Sequence, residues 1–227
     1  MKQFLIKYRR TNGSTEDWHR EIGTFIAAID SDPALKGKVS MLTEMADSVG
    51  LVMLANGDDP AEVTDETYGR AIDRVQAAVD SGQVVRFTGN DFAQPLTRGE
   101  LAASVAWSGD MIQLLADNPK LKWAVPKDGG MIWTDNMLIP TGGSVPTAST
   151  YMNYVYEPAV AAKIAAYINY VPPVQGVKEE LVKIDPELGN NTLIIPDDQL
   201  LSQMHQNDPA MFANPDYEKR WLEVQGK

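Results

Sequence analysis

Cysteine is absent from the 227 residues and histidine occurs only twice, as His19 and His205. The first absence excludes disulfides, thiolate metal sites, iron–sulfur clusters and cysteine nucleophiles. The two histidines lie far apart with no metal-type partner beside either, which suits surface or capping roles, so no metal or other cofactor is expected. No apolar run approaches the ~18 residues that a membrane span needs. The opening Met1-Lys2-Gln3-Phe4-Leu5-Ile6-Lys7-Tyr8-Arg9-Arg10 starts basic, but Lys7 interrupts its apolar run and no small-residue cleavage site follows, so no signal peptide is read there. Gly-x-Ser-x-Gly elbows, phosphate loops and dinucleotide fingerprints are missing. Thr141-Gly142-Gly143-Ser144 follows a proline and lacks a lysine, and reads as a plain loop. The sequence carries no signal for an enzyme.

Basic side chains are the scarcer charge, 20 against 31 acidic ones, for a formal net charge of -11. Such a field repels nucleic acid and attracts cations. With 44% hydrophobic and 22% charged residues the chain has the balance of a soluble globular protein of one large or two small domains. The ten methionines are scattered and read as core filler.

Phe4, Ile6 and Tyr8 alternate with polar neighbours and predict a strand over Gln3–Arg10. After the turn Thr11-Asn12-Gly13-Ser14, the stripe Trp18, Ile22, Phe25, Ile26 and Ile29 predicts a helix that ends at Asp32-Pro33. Further strands are expected over Lys38–Leu42, Val84–Phe87, the end of Leu101–Trp107, Leu121–Val125 and Met131–Trp133. Helices are expected over Ala46–Ala55, from the Thr64 cap to Ser81-Gly82, over Asp110–Asp117, Thr147–Tyr156 and Glu157–Tyr167, and around Gln199–Gln206 and Asp216–Val224. The mixture is α/β with short strands and no internal repeat.

Four strings stand out: Ala106-Trp107-Ser108-Gly109-Asp110; Pro126-Lys127-Asp128-Gly129-Gly130-Met131-Ile132-Trp133-Thr134-Asp135-Asn136; Tyr151-Met152-Asn153-Tyr154-Val155-Tyr156-Glu157-Pro158; and Tyr167-Ile168-Asn169-Tyr170-Val171-Pro172-Pro173. In that order and spacing, the segment from about Lys36 to Pro196 resembles the spermidine/putrescine-binding periplasmic proteins, which feed polyamines to ABC importers. The resemblance implies a type II periplasmic-binding-protein fold, two α/β lobes around a cleft, and a binding protein that docks on permease subunits outside the cytoplasm. It carries ligand-binding roles onto Trp107, Trp133, Asp135 and Tyr170.

The residue types suit that ligand. A polyamine is an alkyl chain with ammonium ends, so it needs aromatic faces for methylenes and carboxylates for its charges. Indoles such as Trp107 and Trp133 offer cation–π attraction of roughly 0.5–2 kcal/mol each. A carboxylate such as Asp135 offers a charge-assisted hydrogen bond of roughly 1.5–3 kcal/mol. Trp133 and Asp135 lie two apart, so on a strand both side chains face one way.

The sequence departs from the family pattern in two places. Spermidine binders carry acids where this chain aligns Met45 and Ser48; Glu44 and Asp47 each stand one position away, and they are the acids on which the expected ligand-binding set is completed. A one-residue offset on a helix turns a side chain by ~100°. The second departure is residues 1–35, a βα unit that resembles the opening of a ferredoxin-like α/β-barrel protein rather than the family's first lobe. A seam is expected near residues 32–38, from fusion or truncation. The expected division is therefore an unmatched unit over 1–35, a second lobe over 36–140, and over 141–227 a helical return segment of an incomplete first lobe. The alternative is a non-binding remnant or chimera of the same fold that self-associates, with Trp221 and Leu222 as an exposed patch.

Overall fold

The computed structural model describes Lys2–Ile6 as a strand and residues 33–227. The helix expected from Ser14 to Asp32, and His19, lie outside the described residues.

In chain order the described elements begin with β1 (Lys2–Ile6), β2 (Val39–Leu42), α1 (Met45–Asn56), α2 (Asp65–Asp80), β3 (Val84–Thr88) and α3 (Ala93–Arg98). Next come β4 (Ala103–Trp107), α4 (Ser108–Asp117) and β5 (Gly130–Met131), then the helices α5 (Val145–Val155), α6 (Pro158–Ile168), α7 (Val177–Ile184), α8 (Pro186–Gly189) and α9 (Asp198–Leu201). β6 (Met204–His205), α10 (Ala210–Ala213) and α11 (Pro215–Val224) close the chain. The chain divides into two compact units, a larger one of Lys2–Ile132 with Gln203–Lys227 and a smaller one of Trp133–Ser202.

The larger unit is built on a mixed six-stranded sheet of order β3-β2-β4-β1-β5-β6. β2 pairs parallel to β3 and β4, β5 pairs parallel to β6, and β1 runs antiparallel between β4 and β5. The N-terminal strand is therefore an interior strand of this sheet, and does not stand apart as the first part of a separate 1–35 unit. All four residues of β2 and all five of β4 are buried. At the centre Ser40 donates to Ser104, Oγ to Oγ at 2.8 Å, and the Ser104 hydroxyl in turn donates a hydrogen bond to the Val105 carbonyl, so the two core hydroxyls are satisfied.

α1 is buried from Ala46 to Leu54 because it has neighbours on both sides, the sheet through β2 and β5 and then α2. Close approach is possible because Gly50 lacks a side chain: a Cβ there would sit 2.7 Å from Asn207 Oδ1 and 2.9 Å from Met131 Cε. α2 starts at a reciprocal Thr64–Thr67 capping box and buries Tyr68, Ala71, Ile72, Val75 and Ala78; of the stripe expected from the spacing, Thr67, Ala71, Ile72, Val75, Ala78 and Val79, the two end residues Thr67 and Val79 are only half-buried.

Residues 203–227 belong to this same unit rather than to a single return segment over 141–227. Trp221, 2% exposed, donates its indole N–H to the Thr43 carbonyl at 2.7 Å, and Gln225 Nε2 donates to the same oxygen at 2.9 Å. The Tyr217 ring stacks on Tyr68 at 4.0 Å between centroids, while the Tyr217 hydroxyl donates to Asp65. The expected exposed patch at Trp221 is thus an anchor in the core; Leu222 alone stays on the surface.

Two strand expectations shrink. Leu121–Val125, confined between Pro119 and Pro126, forms no strand beyond a single bridge residue. Met131–Trp133 pairs only through Met131, since the chain leaves the sheet there. The smaller unit is helical, with α6 packed on α7 and α7 on α8. Ala161, Ala162, Ala165, Val177 and Leu181 form most of its small core, and α5 buries no residue at all.

Candidate functional site

β2, β3, β4 and β5 all run in one direction, so their carboxyl ends reach one edge of the sheet. In α/β sheets that edge is where ligands bind, beside the positive N-termini of the helices that follow. Here β2 leads through Thr43-Glu44 into α1, β4 leads from Trp107 directly into α4, and β3 leads into the turn Gly89-Asn90-Asp91. Three of the expected site residues, Glu44, Asp47 and Trp107, lie on this edge of the larger unit.

Their surroundings differ. Glu44 is half-buried and its carboxylate accepts from the Thr43 hydroxyl at 3.0 Å. The backbone beneath it is held from three sides: Trp221 and Gln225 grip the Thr43 carbonyl, the Thr43 N–H donates to the Thr88 carbonyl, and the Ser48 hydroxyl donates to the Leu42 carbonyl. Asp47 is buried in the first turn of α1, where a negative charge stabilises the helix end. Trp107 is 7% exposed, so most of its indole packs in the core. Across the edge, Asn90 Nδ2 reaches both carboxylate oxygens of Asp110, at 3.2 and 3.0 Å. That link was missed from sequence, although Asp110 closes the first quoted string and Asn90 sits in a polar loop.

Trp133, Asp135 and Tyr170 lie in the smaller unit. Trp133 is half-buried and Asp135 exposed on an irregular stretch after β5. The indole N–H of Trp133 donates to Asp135 Oδ1 at 3.2 Å, which sets a carboxylate beside an aromatic ring without the strand that the spacing implied. Tyr170 is half-buried and lines an apolar cavity of ≈ 160 Å³ with Val155, Ile164, Ile168 and Pro172. No charged side chain lines that cavity, so its chemistry suits alkyl groups and not ammonium ends. Among the described residues no group of acids and histidines could hold a metal ion.

The family model for bacterial extracellular solute-binding proteins matches residues 17–190. The chain belongs to that family. It is a family of solute-binding proteins and not of enzymes. The match begins well before Lys36, so part of the stretch expected to be foreign, from residue 17, is family sequence. The chain is also 26% identical over 142 residues to the spermidine/putrescine-binding periplasmic protein of Salmonella typhimurium, across 62% of this chain and 40% of that one. It therefore spans two fifths of the length of the curated relatives it matches.

Solved structures agree on the fold, that of type II periplasmic-binding proteins. The TpPotD lipoprotein of Treponema pallidum superposes with a TM-score of 0.77 at 14% identity, covering 100% of this chain and 66% of that chain. The spermidine/putrescine ABC transporter substrate-binding protein PotD of Streptococcus pneumoniae superposes at 0.71 with 17% identity, covering 99% and 66%.

Proposed function

We propose that this solute-binding protein takes a polyamine or a closely related small organic cation, and delivers it to the permease subunits of an ABC importer outside the cytoplasm. The observation that carries the reading is the Trp133–Asp135 pair, an exposed carboxylate hydrogen-bonded to a neighbouring indole. An ammonium can replace the indole N–H as the partner of Asp135 while its methylenes lie along the ring. The net charge of -11 favours approach of cations over anions. The similarity to the spermidine/putrescine-binding protein of Salmonella supports the same ligand class.

The remaining residues take graded parts in this reading. Tyr170 supplies an aromatic wall in an alkyl-lined cavity. Glu44, braced by Thr43, is the more exposed of the two expected acids of the larger unit, and Asp47 acts mainly through the α1 end that it stabilises. Trp107 contributes a ring edge at most.

Isothermal titration of the folded 227-residue chain with putrescine and spermidine tests the proposal. Saturable heat is expected for at least one of them, and Asp135→Asn should weaken it roughly tenfold to a hundredfold, the scale of a lost charge-assisted hydrogen bond. Trp133→Ala should cost less, on the order of a few-fold to thirtyfold. A folded sample that gives no heat with either amine would falsify the polyamine reading.

A further inference from the structure

The Thr43 carbonyl, just past β2, takes two donors, the Trp221 indole N–H at 2.7 Å and Gln225 Nε2 at 2.9 Å. An amide oxygen has two lone pairs, so both are used and the plane of the Thr43–Glu44 peptide is fixed from its oxygen side. Glu44 opens α1, yet its side chain caps no amide of that helix and lies instead on the Thr43 hydroxyl at 3.0 Å. The Thr43 N–H donates to the Thr88 carbonyl at 3.0 Å, and the Phe87 ring meets Trp221 edge-on at 5.2 Å between centroids. One helix end thus holds the loop after β2 and the end of β3 alike.

Gln225 makes its contact at a cost to the fold. Its Oε1 is buried and meets no donor among the described residues. A buried amide oxygen without a partner is destabilising, and the carbonyl that Nε2 serves is already satisfied by Trp221. For folding alone, a leucine of similar size would suit the end of α11 better. A polar side chain that burdens the fold while fixing one backbone plane points to what that plane carries. We infer that Gln225 is a positioning residue: through the Thr43–Glu44 peptide it sets where the Glu44 carboxylate stands, and so how strongly that acid holds a ligand ammonium. A carboxylate already held in place costs a ligand less ordering than one that must be gathered on binding. For the ligand this rests on the polyamine reading; for the geometry it rests on the hydrogen bonds alone.

Gln225→Leu in the full chain is the test, read by thermal unfolding, amide exchange and putrescine titration. The melting temperature is expected to stay or rise, because the unpartnered oxygen leaves with the amide. The Ser48 N–H, bonded to the Glu44 carbonyl, should exchange roughly threefold faster or more. Putrescine should bind roughly threefold to tenfold more weakly, the scale of one neutral hydrogen bond. Thr43→Val, which removes the hydroxyl on which Glu44 lies, should weaken binding by a similar factor, and both losses should vanish in a Glu44→Gln background. Leu222→Gln, at an exposed position of α11, should change neither exchange nor affinity. Unchanged Ser48 exchange in Gln225→Leu overturns the inference, as does an affinity loss that persists in the Glu44→Gln background or that Leu222→Gln reproduces. A wild-type chain that binds no amine defeats the polyamine reading by itself, and the exchange of Ser48 still decides the role of Gln225.

Discussion

Single side chains in this protein divide by what their polar atoms meet. Trp133 and Trp221 are both indoles with a hydrogen-bonded N–H, yet one faces an exposed carboxylate and the other a backbone carbonyl inside the core. That difference makes the first available to a ligand and the second structural. Trp221→Phe removes the donor while Gln225 continues to serve the Thr43 carbonyl, so a loss of about 1–2 kcal/mol is expected, hydrogen bond and packing together. The urea midpoint followed by far-UV circular dichroism reads it, and an unchanged midpoint would contradict the anchoring role of Trp221. Asp47 and Glu44 show the same dependence on position, since three residues along one helix start take a side chain from half-exposed to buried.

Two element pairings carry the larger unit's last segment. α11 is clamped on α2 by the Tyr68–Tyr217 stack, by the Tyr68 hydroxyl donating to the Tyr217 carbonyl, and by Arg220 paired with Asp73. Burial pushes the Tyr68 phenol well above its ordinary value, and burial with the hydrogen bond to Asp65 also raises Tyr217. A phenol whose pKa is raised by folding contributes stability fully below the unfolded value of about 10, and that contribution is lost as pH climbs toward the folded value. Thermal stability should therefore fall above pH of about 10, and Tyr68→Phe should flatten that alkaline limb. A wild-type and variant with parallel alkaline limbs would remove the clamp from the account.

The β5–β6 pairing depends on a glycine. Gly129 has φ of +112°, and a Cβ there would lie 2.8 Å from His205 Cδ2 and 2.9 Å from the Gln203 carbonyl. Gly129→Ala should cost about 1–3 kcal/mol through backbone strain and the collision with β6. Scanning calorimetry would show it as a lowered melting temperature for the larger unit.

For the whole molecule the governing quantity is the net charge of -11. Attraction of a cationic solute by that field is screened by salt, with a Debye length shrinking from ~10 Å at 0.1 M to ~3 Å at 1 M. Raising ionic strength should therefore weaken spermidine, with three ammonium groups, more than putrescine, with two. Titrations at both ionic strengths check this, and equal weakening of the two amines would count against a field effect.

Much of the local structure was written in the sequence. Period and caps determined α2 and α6 to within a few residues, because a stripe of apolar side chains and a terminal Thr or Pro act over one or two turns, and α1 was legible as a run of apolar and small residues. The four strings carried the family, and the two-residue spacing of Trp133 and Asp135 placed their side chains together even though no strand forms there. What required the tertiary structure was every question of cover. An apolar stripe marks a face without saying what lies against it, so Trp221 looked exposed until α11 met α2 and Thr43, and Trp107 looked like an open platform until β4 proved buried on both sides. Pairing at long range decided those cases: β1 found its place between β4 and β5, and residues 203–227 joined the sheet across seventy intervening residues of the smaller unit, contacts that no local pattern encodes.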